Sequence, residues 1–268
     1  MGGARLLLVA GCVPWTGEMK RPFFSCVVPV KGARPFMDAA LASLSAQGMD
    51  DDLEVIVQDG DVEPDAGQSD ALNKGFAKAK GDWLFWLNAD DILMPGALLR
   101  VKDLVARRPG LKWVAGDQAF IDRDGRIEAV RYGTKWLDWA FRRICPHVNG
   151  PSSFFRRDLL EQVGGFDVEL HNCMDWDLWI KFAKAGERWV RIPELLWAWR
   201  RHDGSKTSSA IRASEQIAAI WAEIDAMLKK NGYPPSRFHS MLYRAYRICD
   251  GSLVKSWWMS KKLRGRYL

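Results

Sequence analysis

The sequence lacks long apolar runs, paired cysteine motifs and low-complexity segments. No stretch of its 268 residues approaches the roughly 20 apolar residues that cross a bilayer as a helix. The five cysteines are odd in number and nowhere spaced as C-x-x-C, so they indicate neither a disulfide framework nor a zinc site. These absences predict a cytoplasmic protein that is soluble or, at most, peripheral at the inner face of the cytoplasmic membrane.

The composition is that of a folded chain with an excess of positive charge. Hydrophobic residues make up 48% and charged residues 27%, which excludes a disordered protein, and the length suits one large α/β domain or two small ones. The net charge of +6 favours an anionic partner. Nucleic acid, a phosphorylated ligand and an anionic membrane would all be attracted, but no nucleic-acid-binding motif is present, so we expect no nucleic-acid partner.

Basic residues and tryptophans alternate in the C-terminal stretch "KSWWMSKKLRGRYL". Indoles favour the headgroup layer of a membrane and cations favour acidic lipids, so the stretch resembles an interfacial membrane contact. A solvated helix whose tryptophans pack on the domain explains the same pattern equally well.

The first 22 residues are expected to be an extension ahead of the first strand. The segment "ARLLLVAGC" imitates a secretory signal, but its apolar stretch is shorter than a usual signal core and Arg5 alone forms its basic region. Met19 is an alternative start for the chain.

Strand and helix patterns alternate through the first half of the chain. The segments "FSCVVPV", "LEVIVQDG", "DWLFWL" and "LKWVAGDQAFI" read as strands, and amphipathic helical patterns separate them. This alternation predicts an α/β fold with a mostly parallel central sheet flanked by helices, of the nucleotide-binding kind.

The second half is less regular. It contains the helical patterns "WLDWAFRRI", "RRDLLEQVGG" and "DWDLWIKFAKAG", then "RWVRIPELLWAWR" as a strand or hairpin, and a long amphipathic helix over 208–230. We predict one composite domain over residues 23–205, with a donor half (23–122) and an acceptor half (123–205), followed by a helical, basic C-terminal tail (206–268).

Three predicted strands end in polar segments, at Val30–Gly32, at Asp59 and at Asn88–Asp91. Ligands of such sheets bind beyond the carboxyl ends of the strands. The adjacent carboxylates of Asp90 and Asp91 would repel each other unless a cation lies between them, and Mg²⁺ or Mn²⁺ is commonly held by one or two carboxylates plus substrate phosphates. An Asx turn at Asp59 and a helix cap at the aspartate pair are the structural alternatives.

Two long segments resemble glycosyltransferase family 2, whose members have the GT-A fold. The segment "EPDAGQSDALNKGFAKAKGDWLFWLNADDILMPGAL" is similar to that family's central block, and "GPSSFFRRDLLEQVGGFDVELHNCMDWDLWIKFAKAG" to its acceptor-side block. With "CVVPVKG" and "VIVQDG" the resemblance covers most of the chain from Phe24 to about His202. It implies an inverting, metal-dependent enzyme that transfers a sugar from a nucleotide-diphosphate sugar, most often a UDP-sugar, to a glycan or lipid-linked acceptor of the cell envelope.

The resemblance also implies roles for individual residues. The residues it places at the donor are Val30, Asp59, Asn73, Asn88, Asp90 and His202. Among them, Asp59 would accept a hydrogen bond from the base, and Asp90 would lie by the ribose and diphosphate. Asp91 would coordinate Mn²⁺ or Mg²⁺. A solvated histidine is an equally open interpretation of His202.

The segment "MDWDLW" carries the candidate base. Asp175 and Asp177 are too close in sequence to share a helix face, so at most one of them points into a cleft. In the family the base is the aspartate of a Glu-Asp pair, and here that pair reads Met174-Asp175, so the resemblance implies Asp175 as the base without its usual acidic neighbour. Inverting transfer to a hydroxyl needs one such carboxylate to accept the proton.

Two other classes of function fit parts of the sequence. A sugar nucleotidyltransferase shares the α/β plan, but "PVKGARP" after the first strand is not the Gly-rich, Arg- and Lys-bearing phosphate loop of that class. A non-catalytic nucleotide-sugar or nucleic-acid binding protein is the third possibility. The presence of the four aspartates that the resemblance places in the site argues against it; these are Asp59, Asp90, Asp91 and Asp175. The short "QDGDVEPDAG" segment lacks the Ser/Thr-Asp stretch usual in the family, which leaves UDP, GDP and dTDP open as the nucleotide.

Overall fold

A mixed β-sheet with helices on both faces organises the chain. The computed structural model describes residues 21–32, 34–141, 150–205, 214–234 and 236–268. The predicted N-terminal extension therefore lies almost wholly outside the described residues. Among the residues described, no helix combines the length and apolarity that a bilayer-spanning segment requires.

The elements follow the alternation that the sequence predicts in its first half. In chain order they are β1 (Phe24–Val30), α1 (Met37–Ser45), β2 (Leu53–Asp59), α2 (Gln68–Lys78), β3 (Trp83–Trp86), β4 (Ile92–Leu93), α3 (Ala97–Arg107), β5 (Trp113–Ile121), β6 (Ile127–Arg131), α4 (Asp138–Phe141), a 3₁₀ turn (Gly150–Ser152), β7 (Ser153–Arg156), α5 (Arg157–Gln162), α6 (Met174–Lys184), β8 (Val190–Arg200), α7 (Ser214–Lys230), α8 (Arg237–Cys249) and α9 (Ser252–Leu263).

The described strands form one sheet in the order β2-β1-β3-β7-β5-β8-β4, and β6 pairs with β5. Strands β1, β2, β3, β5 and β8 run in one direction, while β4, β6 and β7 run against them. This confirms the predicted α/β class and the mostly parallel sheet. The segment predicted as a strand or hairpin is the single strand β8.

In-register pairing brings the predicted ligand-binding strand ends together. β1 pairs with β2 from Phe24 opposite Leu53 to Val30 opposite Asp59, and it pairs with β3 up to Val27 opposite Trp86. Because these three strands are parallel, their carboxyl ends share one edge of the sheet. The polar segments that follow them are therefore neighbours in space.

Two apolar layers cover the sheet, one on each face. Alternate residues of β1 point to opposite faces, so Val27 packs in the layer with α2 and α6, whereas Cys26 and Val28 pack in the layer with α1 and α3. In the first layer Trp86, Trp113 and other aromatic residues stack around the buried Trp179. These contacts hold α6 on the sheet.

The C-terminal helices pack against the sheet through hydrogen bonds to an edge strand. On α9, the Ser260 hydroxyl accepts a hydrogen bond from the Val130 N–H (2.9 Å), and the Ser256 hydroxyl accepts one from the Tyr132 N–H (2.9 Å). The backbone N–H of Ile127 donates to the Arg266 carbonyl (2.8 Å). Edge strands expose unpaired backbone groups that invite aggregation, and this region covers one.

We expect Gly75→Ala to weaken the packing of α2 on β1. A Cβ at position 75 would lie 2.4 Å from Val27 Cγ1, well inside van der Waals contact, so the helix or the strand must shift. Overpacking of this kind costs about 1–3 kcal/mol of unfolding free energy, measurable by urea denaturation. Gly110→Ala is the matched control, because nothing lies within 4 Å of its added methyl group. Equal stability of the two variants would contradict the packing described here.

Candidate active site

A cavity of about 640 Å³ opens where the carboxyl ends of β1 and β3 meet the end of β8. This volume lies in the range of roughly 300–1,000 Å³ that small-molecule sites occupy. Four of the residues predicted to contact a donor line it, namely Val30, Asn88, Asp90 and His202. Lys31 and Arg34, on the loop after β1, line the wall together with Asp65, whose carboxylate lies 3.6 Å from the Lys31 ammonium.

Asp90 and His202 face each other in this cavity. The Nε2 atom of His202 lies 3.0 Å from Asp90 Oδ2, and the imidazole also packs on the Phe36 ring at 4.8 Å between centroids. The carboxylate and the imidazole offer an oxygen and a nitrogen ligand side by side. The pair is therefore equipped to take part in binding a divalent cation whose other ligands come from a phosphorylated substrate.

Asp91 has a different environment, although it is adjacent in sequence. Its side chain is fully buried, and it accepts hydrogen bonds from the Arg200 backbone N–H (3.0 Å) and from the Asn88 amide (2.9 Å). Burial and the nearby Asp90 charge raise the pKa of Asp91 well above its ordinary value. Coordination of a metal by Asp91, as predicted from the resemblance, would require these bonds to rearrange, whereas Asp90 already faces the cavity.

Among the residues described, no group of three or more His, Cys, Asp or Glu side chains is arranged to hold a metal ion. A cation at Asp90 would thus depend on ligands from the substrate. This fits the binding habit of Mg²⁺ and related hard ions, which commonly use one or two carboxylates together with phosphate oxygens.

Asp59 lies behind the cavity wall, held by an arginine that sequence reasoning missed. Arg34 binds the Asp59 carboxylate through Nη1 (2.7 Å) and Nη2 (2.8 Å), and it also contacts Asp61 (2.9 Å). For Asp59 to accept a hydrogen bond from a nucleotide base, Arg34 must turn aside or share the carboxylate. In the sequence, only the basic character of "PVKGARP" indicates that a cation lies near Asp59.

Asn73 does not line the cavity. Its amide donates to the Phe166 carbonyl and its carbonyl accepts from the Phe166 N–H, both at 2.9 Å. These bonds fasten α2 to the turn that follows α5 and use both ends of the amide. We therefore correct the expected donor contact of Asn73 to a structural role.

A second cavity, of about 230 Å³, adjoins the first and carries Asp175 on its wall. The two cavities share Gln68, Asn88 and Trp199, and the Gln68 amide donates to the Asn88 carbonyl at 2.9 Å. Burial raises the pKa of Asp175 to about 6, against the opposing effect of backbone hydrogen bonds from Trp176 and other groups. The second cavity thus holds a carboxylate that is poised to exchange a proton near neutral pH.

Asp177 points away from both cavities. It is ion-paired with Lys181 one helical turn later (2.9 Å), and the Asn231 amide donates to it at 3.3 Å. Two positions apart on α6, the aspartates occupy different faces, as helix geometry requires.

Comparisons with known proteins agree with one another. Residues 62–164 match the glycosyl transferase family 2. An uncharacterised glycosyltransferase of Rickettsia typhi is 24% identical over 226 residues, which cover 75% of this chain and 71% of that protein. The O-antigen biosynthesis protein RfbC of Myxococcus xanthus is 27% identical over 217 residues, which cover 71% of this chain but 16% of RfbC.

Solved structures show the same fold. The first 349 residues of Staphylococcus aureus TarS, crystallised with UDP-GlcNAc, superpose with a TM-score of 0.56 at 16% identity, covering 75% of this chain and 66% of that one. A mannosyltransferase from Pyrobaculum calidifontis, in complex with GDP-Man and Mn²⁺, gives a TM-score of 0.53 at 19% identity, covering 80% of this chain and 70% of the other. The similarity shows that the sheet and its helices form a GT-A fold.

Asp175→Asn is expected to make the protein more stable at neutral pH. The folded-state pKa of about 6 lies above the ordinary value of 3.8, so stability falls as the pH rises from about 4 to 6 and the folded protein must lose this proton. Asparagine avoids that cost, and the free energy of unfolding at pH 7 should rise by about 1–3 kcal/mol. Urea unfolding at about pH 4 and pH 7 measures the difference, which should shrink at the lower pH.

Asp177→Asn is the matched control for that measurement. It removes the ion pair with Lys181 and leaves the cavity unchanged, so it should destabilise the protein modestly at pH 7. A loss of stability in Asp175→Asn as large as in this control would show that the surroundings of Asp175 do not raise its pKa.

Proposed function

We propose that this chain, whose residues 62–164 match the glycosyl transferase family 2, transfers a sugar from a nucleoside-diphosphate sugar to a hydroxyl group of a cell-envelope glycan, with inversion at the anomeric carbon. The observation that supports this most is the pair of joined cavities. One carries Asp90 and His202, and the other carries Asp175, whose pKa of about 6 suits a base. The match to this family and the glycosyltransferase relatives favour sugar transfer over a nucleotidyltransferase or a non-catalytic binding protein.

The larger cavity is proposed to bind the donor. The cations of Lys31 and Arg34 at one end, which would exchange their carboxylate partners for phosphate oxygens, and the Asp90–His202 pair at the other, suit a base-ribose-diphosphate ligand. A UDP-sugar is our first choice of donor. The TarS structure contains UDP-GlcNAc and the mannosyltransferase contains GDP-Man, so both nucleotides belong in the test.

Mn²⁺ or Mg²⁺ is proposed as the cofactor, held by Asp90 with His202 beside it. When bound, such an ion neutralises the charge that develops on the departing diphosphate. We propose Asp90 as its ligand in preference to Asp91, because the oxygens of Asp91 already accept hydrogen bonds from Arg200 and Asn88. Asp91 then serves to hold the end of β3 in place.

The smaller cavity is proposed to receive the acceptor hydroxyl. Its oxygen attacks the anomeric carbon while its proton passes to the Asp175 carboxylate. The bond from that carbon to the diphosphate oxygen breaks, and the nucleoside diphosphate leaves with the electron pair. A base with a pKa near 6 is mostly ionised at neutral pH and can still hold the proton it accepts.

Aromatic side chains on the wall of the smaller cavity support a glycan or lipid-linked acceptor. The partly exposed Trp199 lines it beside the buried Trp86 and Trp197, and the rings of Trp197 and Trp199 are nearly parallel, with 11° between their planes. Indole faces provide large apolar surfaces with fixed geometry, which suit the apolar face of a sugar ring. The relative in O-antigen biosynthesis supports the same class of acceptor.

Two variants should separate donor binding from chemistry. A panel of nucleotide sugars with Mn²⁺ should contain one donor that raises the melting temperature, since ligands that bind only the folded state stabilise it. Asp90→Asn should lose the Mn²⁺-dependent part of that shift. Asp175→Asn should keep the shift and lose transfer by about a hundredfold or more, because it cannot accept the proton.

Asp177→Asn serves as the control for both assays and should retain the donor shift and most of the turnover. If Asp177→Asn is the inactive variant while Asp175→Asn transfers sugar, the base is wrongly assigned. If EDTA leaves both binding and transfer unchanged, the proposed metal dependence fails.

We further propose that α8 and α9 bring the enzyme to an anionic membrane. On α8 the exposed apolar residues lie at helical spacing on one stripe, and they include Phe238, Met241, Leu242 and Ile248. On α9 the serine face packs on β6, and Trp257 and Trp258 are more than half exposed on the other side.

The charge of this region supports an anionic surface as its partner. Residues 236–268 contain eight Lys or Arg and one Asp, a net charge of +7, whereas the whole chain carries +6, so the remainder is close to neutral. Lys261 and Lys262 lie over the rings of Trp257 and Trp258 at 3.9 and 5.1 Å. Cations beside exposed indoles are the pattern of an interfacial helix.

Replacing Lys261 and Lys262 together by Gln should weaken binding to anionic vesicles. Each cation near an acidic surface contributes about 1 kcal/mol, so the double variant should bind vesicles of phosphatidylglycerol and phosphatidylcholine roughly thirtyfold less tightly in low salt. Lys229→Gln with Lys230→Gln, on the exposed end of α7, is the matched control. Co-sedimentation measures binding, and equal loss in both double variants would contradict a membrane contact at α9.

A further inference from the structure

A carboxylate far away in sequence holds the turn that leads into Asp175. Glu223, on α7, accepts hydrogen bonds at Oε1 from the backbone N–H groups of His171 (2.9 Å) and Asn172 (2.8 Å). Its Oε2 atom accepts a third from the Asn172 side-chain amide (2.6 Å). The Cys173 sulfur lies 3.5 Å from Oε1. One side chain thus contacts three consecutive residues.

These three residues form the turn that immediately precedes α6. Cys173 is the N-cap of that helix, and its own side chain makes no capping hydrogen bond. The N-terminal N–H groups of a helix lack partners within the helix, and the residues that precede it are easily displaced unless something fixes them. Glu223 therefore fixes the start of α6 from a neighbouring helix.

Glu223 is suited to this task because it is ionised. Burial alone would raise its pKa, but the hydrogen bonds from Asn172, Cys173 and His171 outweigh burial, and the pKa of Glu223 lies below its ordinary value. Hydrogen bonds to a charged acceptor are stronger than those between neutral groups. Burial and the Glu223 charge also raise the pKa of the Cys173 thiol, so that thiol stays protonated and can donate to the carboxylate.

The turn and the helix that holds it both belong to the smaller cavity. His171 and Asn172 line that cavity together with Asp175. Ile220, one helical turn before Glu223 on α7, lines it as well. A shift of the turn would therefore move the cavity wall and the first turn of α6 together.

We propose that Glu223 is a positioning residue that holds Asp175 and the acceptor-side wall in their working geometry. It does not touch the reacting atoms. The proposal deepens the proposed function and rests on it, since it concerns the residue assigned there as the base.

The test compares Glu223→Ala and Glu223→Gln with Asp225→Asn, which removes a partly exposed carboxylate of α7 paired with Lys229. Misplacement of a reacting group by about 1 Å can cost about a hundredfold in rate, so Glu223→Ala should lower kcat by about tenfold to a hundredfold, with the donor-induced thermal shift kept. Glu223→Gln retains an acceptor oxygen for the two backbone N–H groups and should recover most of kcat. Asp225→Asn should match the wild type.

The titration of Asp175 gives a readout that does not depend on transfer. In Glu223→Ala the turn should open to water, which weakens the burial that raises the pKa of Asp175, so that pKa should fall. The acidic limb of the pH–kcat profile and the Asp175 carboxyl titration, followed by ¹³C NMR, should both move to lower pH. Glu223→Gln accepts weaker hydrogen bonds than the carboxylate, so a smaller shift in the same direction is expected. If Glu223→Ala does not fold, the Asp175 titration in Glu223→Gln tests the proposal.

Wild-type turnover and an unmoved Asp175 titration in Glu223→Ala would overturn the proposal. A fall in melting temperature with both of these unchanged would also overturn it, because Glu223 would then be merely structural. If the wild type transfers no sugar from any donor, the proposed function fails, but the NMR titration still tests whether Glu223 sets the environment of Asp175.

Discussion

The candidate site depends on the burial of one carboxylate, that of Asp91. A buried carboxyl group that has lost its hydration needs hydrogen-bond partners inside the protein, and Asp91 obtains them from the backbone of Arg200 and the amide of Asn88. Since Arg200 ends β8 and Asn88 follows β3, this requirement ties together two strands that do not pair with each other. The Arg200 guanidinium then donates to the Asp90 carbonyl (2.9 Å). The Asp90 side chain is consequently held at the cavity, within reach of His202.

The same division occurs at both acidic motifs of the chain. In each pair of nearby aspartates, one is fixed by internal partners and the other faces a cavity. Asp91 is fixed by backbone and amide donors, and Asp177 by Lys181. Asp90 and Asp175 face the two joined cavities. Like charges destabilise each other at short range, so internal partners for one member of a pair allow the other to remain available to a ligand.

The sequence predicts those features that depend on local pattern. The bounds of β1 and β2, the helix α6 and the opposite directions of Asp175 and Asp177 all follow from periodicity and helix geometry. Strands β4, β6 and β7 escaped prediction because segments of two to five residues show too little alternation, and tertiary pairing decides their conformation. Adjacency in sequence could not reveal which of Asp90 and Asp91 is buried, since that depends on β8.

Contacts between distant segments were also beyond sequence reasoning. Arg34 and Glu223 act through carboxylate or backbone partners 25 and about 50 residues away, and neither belongs to a recognisable motif. The amide of Asn73 resembles a ligand-binding group in sequence, yet both its nitrogen and its oxygen are hydrogen-bonded to the Phe166 backbone. A motif therefore predicts which kinds of side chain are present at a site. It does not predict which of them are already bonded within the protein and which face a substrate.

These contacts make the C-terminal region a part of the enzyme's working structure. Glu223 fixes the turn that precedes α6, and the hydroxyl of Tyr243 on α8 lies 3.1 Å from that of Thr134, while Arg247 donates to the Tyr132 carbonyl at 2.8 Å. A membrane contact at α9 would thus be joined to the sheet by hydrogen bonds rather than by a free linker. Removal of the whole region would disturb the surroundings of Asp175, the edge strand β6 and the basic surface at once. Single side-chain changes are needed to separate their contributions, because each acts through a different set of contacts.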